Sequence, residues 1–191
     1  TNTSFMEHNY DYEEENIDLL GQKYHRDYVI NGNLDSYNEM IDYAESNDLE
    51  SQEVFNQLKL YVDIDELINY YIISIYFGNC DFLQNNLKLW RNRSLSSSKW
   101  RWILLDNDVS LGWGSLSIYG DGTSTCGVNY NHLERFLNPL NETWGHKPFN
   151  LLLNNESFKN EFIQKFLVSI NTVFKPDRVL HFIDSLKNNI E

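Results

Sequence analysis

Four oxygen-bearing side chains, Asp81, Asn86, Asp106 and Asp108, bracket the stretch DFLQNNLKLWRNRSLSSSKWRWILLDND. Within it two apolar, aromatic runs, Leu87–Arg91 and Trp100–Leu105, flank the Ser-rich RNRSLSSSK. That pattern predicts a hairpin with a long polar turn. A hairpin brings its open ends together, and side chains alternate along a strand. A strand running through Asp108 puts Trp100, Trp102, Leu104, Asp106 and Asp108 on one face. The four polar groups then converge at the end away from the turn. Three carboxylates and an amide oxygen repel one another unless a cation joins them. Mg²⁺, or Mn²⁺, suits such a set, because it takes oxygen ligands and completes its shell with phosphate and water. Asn86, Asp106 and Asp108 are the candidate ligands. Asp81, left off the ion, is placed to accept a proton from a hydroxyl.

The elements around this stretch are largely helical. Leu34, Tyr37, Met40, Ile41 and Ala44 have helical spacing, with Asn33 or Asp35 as cap. A second helix is predicted over Gln52–Leu60. The third signal is the clearest. Asp63 with Glu66 reads as a helix start, and Ile64, Leu67, Ile68, Tyr71, Ile72, Ile75 and Tyr76 trace one face. Gly78-Asn79 ends it. Both faces of the hairpin carry apolar groups, so its sheet is expected to be covered on both sides. Residues 112–130 hold most of the Gly residues and read as a loop. Helices resume at Pro148–Leu153, Glu156–Phe174 and Pro176–Ile190, the second burying Phe158, Phe162, Ile163, Phe166 and Ile170. Pro176 fits a first helical turn. Residues 1–30, with EEEN at 13–16, read as an acidic surface segment with little regular structure. The sum is a mainly helical α+β unit over residues 31–191.

Composition bounds the partners. The chain has 191 residues and a formal net charge of -13, which repels nucleic acid and anionic membranes over most of the surface. No apolar run is long enough to span a membrane. Five of the 15 basic residues, Lys88, Arg91, Arg93, Lys99 and Arg101, lie in the hairpin. Lys88 is two residues from Asn86 and is the candidate phosphate-binding group. Arg93 and Lys99, near the turn, read as solvated charges that block edge pairing. His8, His25, His132, His146 and His181 lack metal-ligand spacing. Cys80 abuts Asp81, whose charge disfavours a thiolate, so it reads as a poor nucleophile. The other cysteine is Cys126.

Asp81 and Asn86 are five residues apart, and the hairpin then leads to Asp106. Protein kinases place a catalytic Asp, a metal-binding Asn and a second metal-binding Asp in that order. The chain resembles the CotH kinase-like family, atypical protein kinases named for a spore coat protein. The resemblance is carried by YVDIDELINYYIISIYFGNCD, NNLKLWR and KWRWILLDNDVSLGWG, and more weakly by NGNLDSYNEMIDY, FNLLL and the final helical segments. It implies a kinase-like C-terminal lobe and transfer of phosphate from Mg-ATP to a protein hydroxyl. It makes Asp81 the catalytic acid, with Asp106 ahead of Asp108 as the metal Asp, and Asn86 ahead of Asn85 as the amide ligand. The substrate is then a protein, and an extracellular or cell- or spore-surface location in a bacterium is implied.

No Gly-rich strand-turn-strand with a phosphate-binding Lys precedes residue 60, so a nucleotide-covering lobe is expected upstream in a longer polypeptide. Residues 1–191 alone are then expected to bind nucleotide poorly. Two rival readings stay open. LLDND after an apolar strand is similar to the D-x-D of metal-dependent glycosyltransferases, although those enzymes build an α/β sheet upstream. A non-catalytic surface or assembly module with a kinase-like fold is the other.

Overall fold

The computed structural model describes residues 13–24, 26–81, 85–112, 130–137 and 143–190. Its described elements are a short 3₁₀ turn (Glu14–Asn16), strands β1 (Ile17–Lys23) and β2 (Arg26–Asn31), helices α1 (Asp35–Ser46), α2 (Gln52–Tyr61) and α3 (Ile64–Phe77), strands β3 (Asn85–Asn92) and β4 (Arg101–Trp102), and helices α4 (His132–Phe136), α5 (Lys147–Leu152), α6 (Glu156–Asn171) and α7 (Pro176–Asn188). The architecture is α+β and mainly helical, with one four-stranded antiparallel sheet in the order β2-β1-β3-β4.

Residues 17–31 correct the reading of the N-terminal stretch as surface. β1 is central in the sheet, and Ile17–Gln22 are buried. Its alternation is hidden because two polar residues, Asp18 and Gln22, are buried as well. Asp18 is made tolerable by two guanidinium groups from β3 and its turn, Arg91 at 3.3 Å and Arg93 at 3.2 Å. It also accepts the Asn33 N–H at 3.0 Å. A buried carboxylate survives only when paired in this way. Arg93, exposed at the turn, is therefore also the ion-pair partner of a buried acid.

The sheet is covered on both faces. Leu20, Leu87, Leu89, Trp100 and Trp102 join the main core with α1, α2, α3, α5 and α6. Ile17, Leu19 and Trp90, with Ile103 against them, form a smaller cluster on the other face. The hairpin differs from expectation in its second arm. β4 spans only Arg101–Trp102. Before it, Trp100 is captured by the start of α3 and not by β3. Its N–H donates to the Tyr61 carbonyl at 2.7 Å, and its carbonyl accepts the Asp63 N–H at 3.0 Å.

α3 forms as its sequence dictates. The Asp63 side chain accepts the Glu66 N–H at 3.3 Å, and Gly78 closes the helix in the left-handed region at φ 59°. A side chain there would meet the His132 ring. Leu67, Ile68, Tyr71 and Ile72 are fully buried, and α3 packs against β4, α4 and α6. α6 buries Phe158 and Phe162, with Phe166 partly covered, but Ile163 is exposed. That side of α6 has no neighbour to cover it among the described residues.

The centre of the core is aromatic. Tyr71 stacks on Phe149 with centroids 3.6 Å apart, and its hydroxyl meets His146 Nδ1 at 2.6 Å. The Gly145 carbonyl accepts from the Trp102 indole at 2.8 Å. A Cβ at Gly145 would lie 1.6 Å from Leu87, so only Gly lets the chain pass this close to β3.

Burial depresses the His146 pKa from its ordinary 6.5 to about 3. The folded imidazole stays neutral while the unfolded chain takes up a proton below pH 6.5. Its contribution is thus fully present above pH 6.5 and is lost as pH falls from there toward 3, at up to about 1.4 kcal/mol per pH unit. Denaturant titrations at pH 7 and pH 5 should show His146→Gln shrinking the wild-type loss between those pH values by up to about 2 kcal/mol. An undiminished loss in that variant excludes His146 as the cause.

Candidate active site

The site is assembled where the end of α3 meets the chain leaving β4. After the left-handed turn at Gly78, Asn79 is buried and works in two directions. Its Oδ1 accepts the Asp81 N–H at 3.0 Å, and its Nδ2 donates to Asn107 Oδ1 at 2.6 Å. The two segments are also joined through the main chain. Cys80 N–H donates to the Val109 carbonyl at 2.8 Å, and Leu111 N–H to the Phe77 carbonyl at 2.7 Å. Arg135 of α4 braces the same loop, donating to the carbonyls of Asn79 at 3.1 Å and Cys80 at 2.8 Å. Asp81 therefore follows directly on a segment fixed at Asn79 and Cys80.

Three of the four predicted side chains meet. Asn86 Nδ2 donates to Asp81 Oδ2 at 3.1 Å and to Asp106 Oδ2 at 2.9 Å. The fourth, Asp108, stands close enough to Asp106 for its charge to raise that carboxyl's pKa. The strand geometry behind the prediction is different from the one found. β4 has ended before Asp106, which sits in the left-handed region at φ 52°, and Asn86 does so at φ 59°. Non-glycine residues take that conformation at a cost and concentrate at functional sites. Both strained residues aim their side chains at the same point. Convergence thus comes from two backbone turns and not from strand alternation.

The charge environment is unfavourable to three ionised acids. Asp106 has its pKa raised, first by the Asp108 charge, then by partial desolvation, the hydrogen bond to Asp108 and the Asp81 charge, while the Asn86 amide pulls it down. Among the described residues, no three acidic, His or Cys side chains sit close enough to form a ready metal site. The Asn86 amide occupies the space between the two carboxylates. Turned by half a revolution, it presents Oδ1 to the same point, so that the groups meeting there are all oxygen donors.

The remaining candidates separate clearly. Asn85 does not join the cluster; its Oδ1 accepts the Tyr24 N–H at 2.8 Å, tying the β1–β2 turn to the site. Lys88 is half-buried two residues beyond Asn86, and burial lowers its pKa. Arg91 and Arg93 are engaged by Asp18, and Arg101 by Asp63 at 3.0 Å. Lys99 lines polar cavities at the turn, away from the acids. His146 and His132 are packed in the fold and His181 lies on α7, while His8 and His25 lie outside the described residues. Cys80 is disulfide-bonded, so it offers no thiol at all. Cys126 and nearly all of the Gly-rich 112–130 stretch fall outside the described residues.

Asn79 and Arg135 are the functional-site residues that sequence reasoning missed in these roles. Asn79 was legible as a helix stop and as the Asn of the Asn-x-Asp that carries the family resemblance, but not as the group that holds Asp81. Arg135 lies 54 residues beyond Asp81 on a five-residue helix, and no spacing rule links the two.

A family model described as CotH kinase protein matches residues 2–191. The chain belongs to that family. No curated protein and no solved structure matches it.

If Asp108 is what raises Asp106, then Asp108→Asn should bring the Asp106 pKa down toward the ordinary carboxylate range. Carbon-detected NMR titration of the Asp side chains reads this directly, and an Asp106 pKa unmoved in the variant contradicts the assignment.

Proposed function

We propose that this chain carries the catalytic and cation-binding part of a CotH-type protein kinase, which transfers phosphate from Mg-ATP to a protein hydroxyl. The observation that carries the reading is the Asn86 amide bound at once to Asp81 and Asp106. It unites the catalytic acid, amide and metal acid of the family pattern at one point. An upstream lobe of the same polypeptide completes the nucleotide site in this reading.

Asp81 accepts the proton of the substrate hydroxyl as its oxygen bonds to the γ-phosphorus and the bond to the ADP oxygen breaks. Its backbone is fixed by Asn79, with Arg135 bracing the loop, so the carboxylate is already oriented when the hydroxyl arrives. Asp106, Asp108 and the Asn86 oxygen would hold the divalent ion, which would neutralise the nucleotide phosphates. The mutual repulsion that raises Asp106 would favour that loading. Lys88, two residues beyond Asn86, would supply an ammonium for phosphate oxygens.

The rival D-x-D sugar-transferase reading needs a nucleotide-binding α/β sheet ahead of the acids. The strands ahead of them are antiparallel, which does not favour it. A disulfide at Cys80 fits an oxidising compartment, in line with a cell- or spore-surface location.

In the full-length protein, Asp81→Ala should lower phosphate transfer from labelled ATP by about 10²–10⁴-fold while circular dichroism stays unchanged. Wild-type turnover in that variant rules out the role of Asp81. No transfer by the wild type with either Mg²⁺ or Mn²⁺ favours the non-catalytic assembly module. Asp106→Ala should weaken Mg-nucleotide binding by calorimetry, and unchanged affinity removes Asp106 from the metal set.

A further inference from the structure

Among the described residues, β2 is the outer strand of the sheet and pairs with β1 alone. An unpaired edge exposes a row of main-chain donors and acceptors, and proteins commonly guard it with Lys, Pro or a covering segment. The run RDYVIN contains neither Lys nor Pro. Its apolar centre is open to solvent, with Tyr28, Val29 and Ile30 at 40%, 39% and 36% exposure. Tyr28 and Ile30 close over Gly21 of β1, so they hold fixed positions beside the edge.

The two ends of this edge carry opposite charge. Arg26, exposed at one end, has no ion-pair partner among the described residues. At the other end, Asn31 Nδ2 donates to the Glu14 carbonyl at 2.6 Å, which places the exposed Glu13, Glu14 and Glu15 beside the strand terminus. An edge that is cationic at one end, apolar in the middle and anionic at the other is complementary to itself when reversed.

We infer that β2 is a self-association edge, pairing antiparallel with β2 of a second copy about a two-fold axis near Tyr28 and Val29. Such an interface is isologous. Arg26 of each copy meets the Glu13–Glu15 end of the other, twice over. About that axis Tyr28 of each copy lies opposite Val29 of the other, and the two sheets become one of eight strands. A parallel arrangement sets like charge on like charge at both ends and is excluded. The paired length is about 20 Å, from six residues at the usual strand rise, so the interface is at the small end of the range and reversible. The net charge of -13 on each copy opposes association, which makes the two local charge contacts decisive. The inference stands apart from the phosphate-transfer reading, since it uses none of the candidate catalytic side chains.

Sedimentation velocity on the full chain, from about 1 to 200 µM, tests it. The wild type should pass from monomer to dimer with rising concentration. Val29→Lys, a charge placed at the edge, should stay monomeric. Arg26→Glu should weaken association by about tenfold or more, and Arg26→Glu combined with Glu14→Arg should recover it. Circular dichroism checks that each variant is folded; should Val29→Lys fail to fold, the charge exchange decides alone. A wild type monomeric throughout overturns the inference, as does a dimer indifferent to Arg26→Glu.

Discussion

The Asn86 amide, held between Asp81 and Asp106, is the contact on which the site depends. Carboxylates brought together repel, and Asp106 already shows the consequence in its raised pKa. The amide N–H₂ group supplies the only positive end within reach of both acids among the described contacts. The surrounding fold works against the same repulsion. Two main-chain hydrogen bonds join the Phe77–Cys80 segment to Val109–Leu111, and Arg135 clamps the carbonyls of Asn79 and Cys80. Left-handed backbone at Asn86 and Asp106 is part of that cost. Negative charge crowded at one solvent-facing point is the repulsion that the proposed cation would relieve.

The positive charges of the hairpin are consumed elsewhere, and this shapes the chemistry. Arg91 and Arg93 neutralise Asp18 beneath the sheet, and Arg101 satisfies Asp63 at the head of α3. Each holds an element in place and none faces the acids. Of the five hairpin cations, Lys88 has no ion-pair partner among the described residues. Phosphate approaching such a site meets net negative charge, so one ammonium is a weak attractor without a metal ion. In the proposed function, ion loading and nucleotide binding would therefore be coupled, the ion relieving repulsion among the acids and between acids and phosphate together.

Sequence reasoning succeeded where structure is local. Asp63 caps α3, Gly78 closes it, and Pro176 opens α7, because each of these depends on residues within one turn. The hairpin and the five-residue offset of Asp81 and Asn86 were legible for the same reason. It failed where distant groups settle the outcome. β1 looked like acidic surface because Asp18 and Gln22 break its apolar pattern, and the arginines that make Asp18 tolerable come from more than seventy residues away. The second arm of the hairpin looked like a long strand because Ile103, Leu104 and Leu105 have strand character. The chain leaves the sheet after Trp102 all the same, since Asn107 and Val109 find better partners in Asn79 and Cys80. The acids converge despite a wrong intermediate geometry, because the open end of any such hairpin returns to its start.

That shortened strand has a functional consequence. Had β4 run on through Asp108, Asp106 and Asp108 would have pointed one way from a rigid ladder, with the spacing between them fixed by the strand rise. Instead the chain crosses to the α3 terminus, and its hydrogen bonds alternate with the acids: Asn107 and Val109 are anchored inward, Asp106 and Asp108 are left exposed. The backbone is held at alternate residues while the carboxylates between them keep side-chain freedom. A cation site needs both properties, since its ligands must be near one another before the ion arrives and must still adjust to its shell.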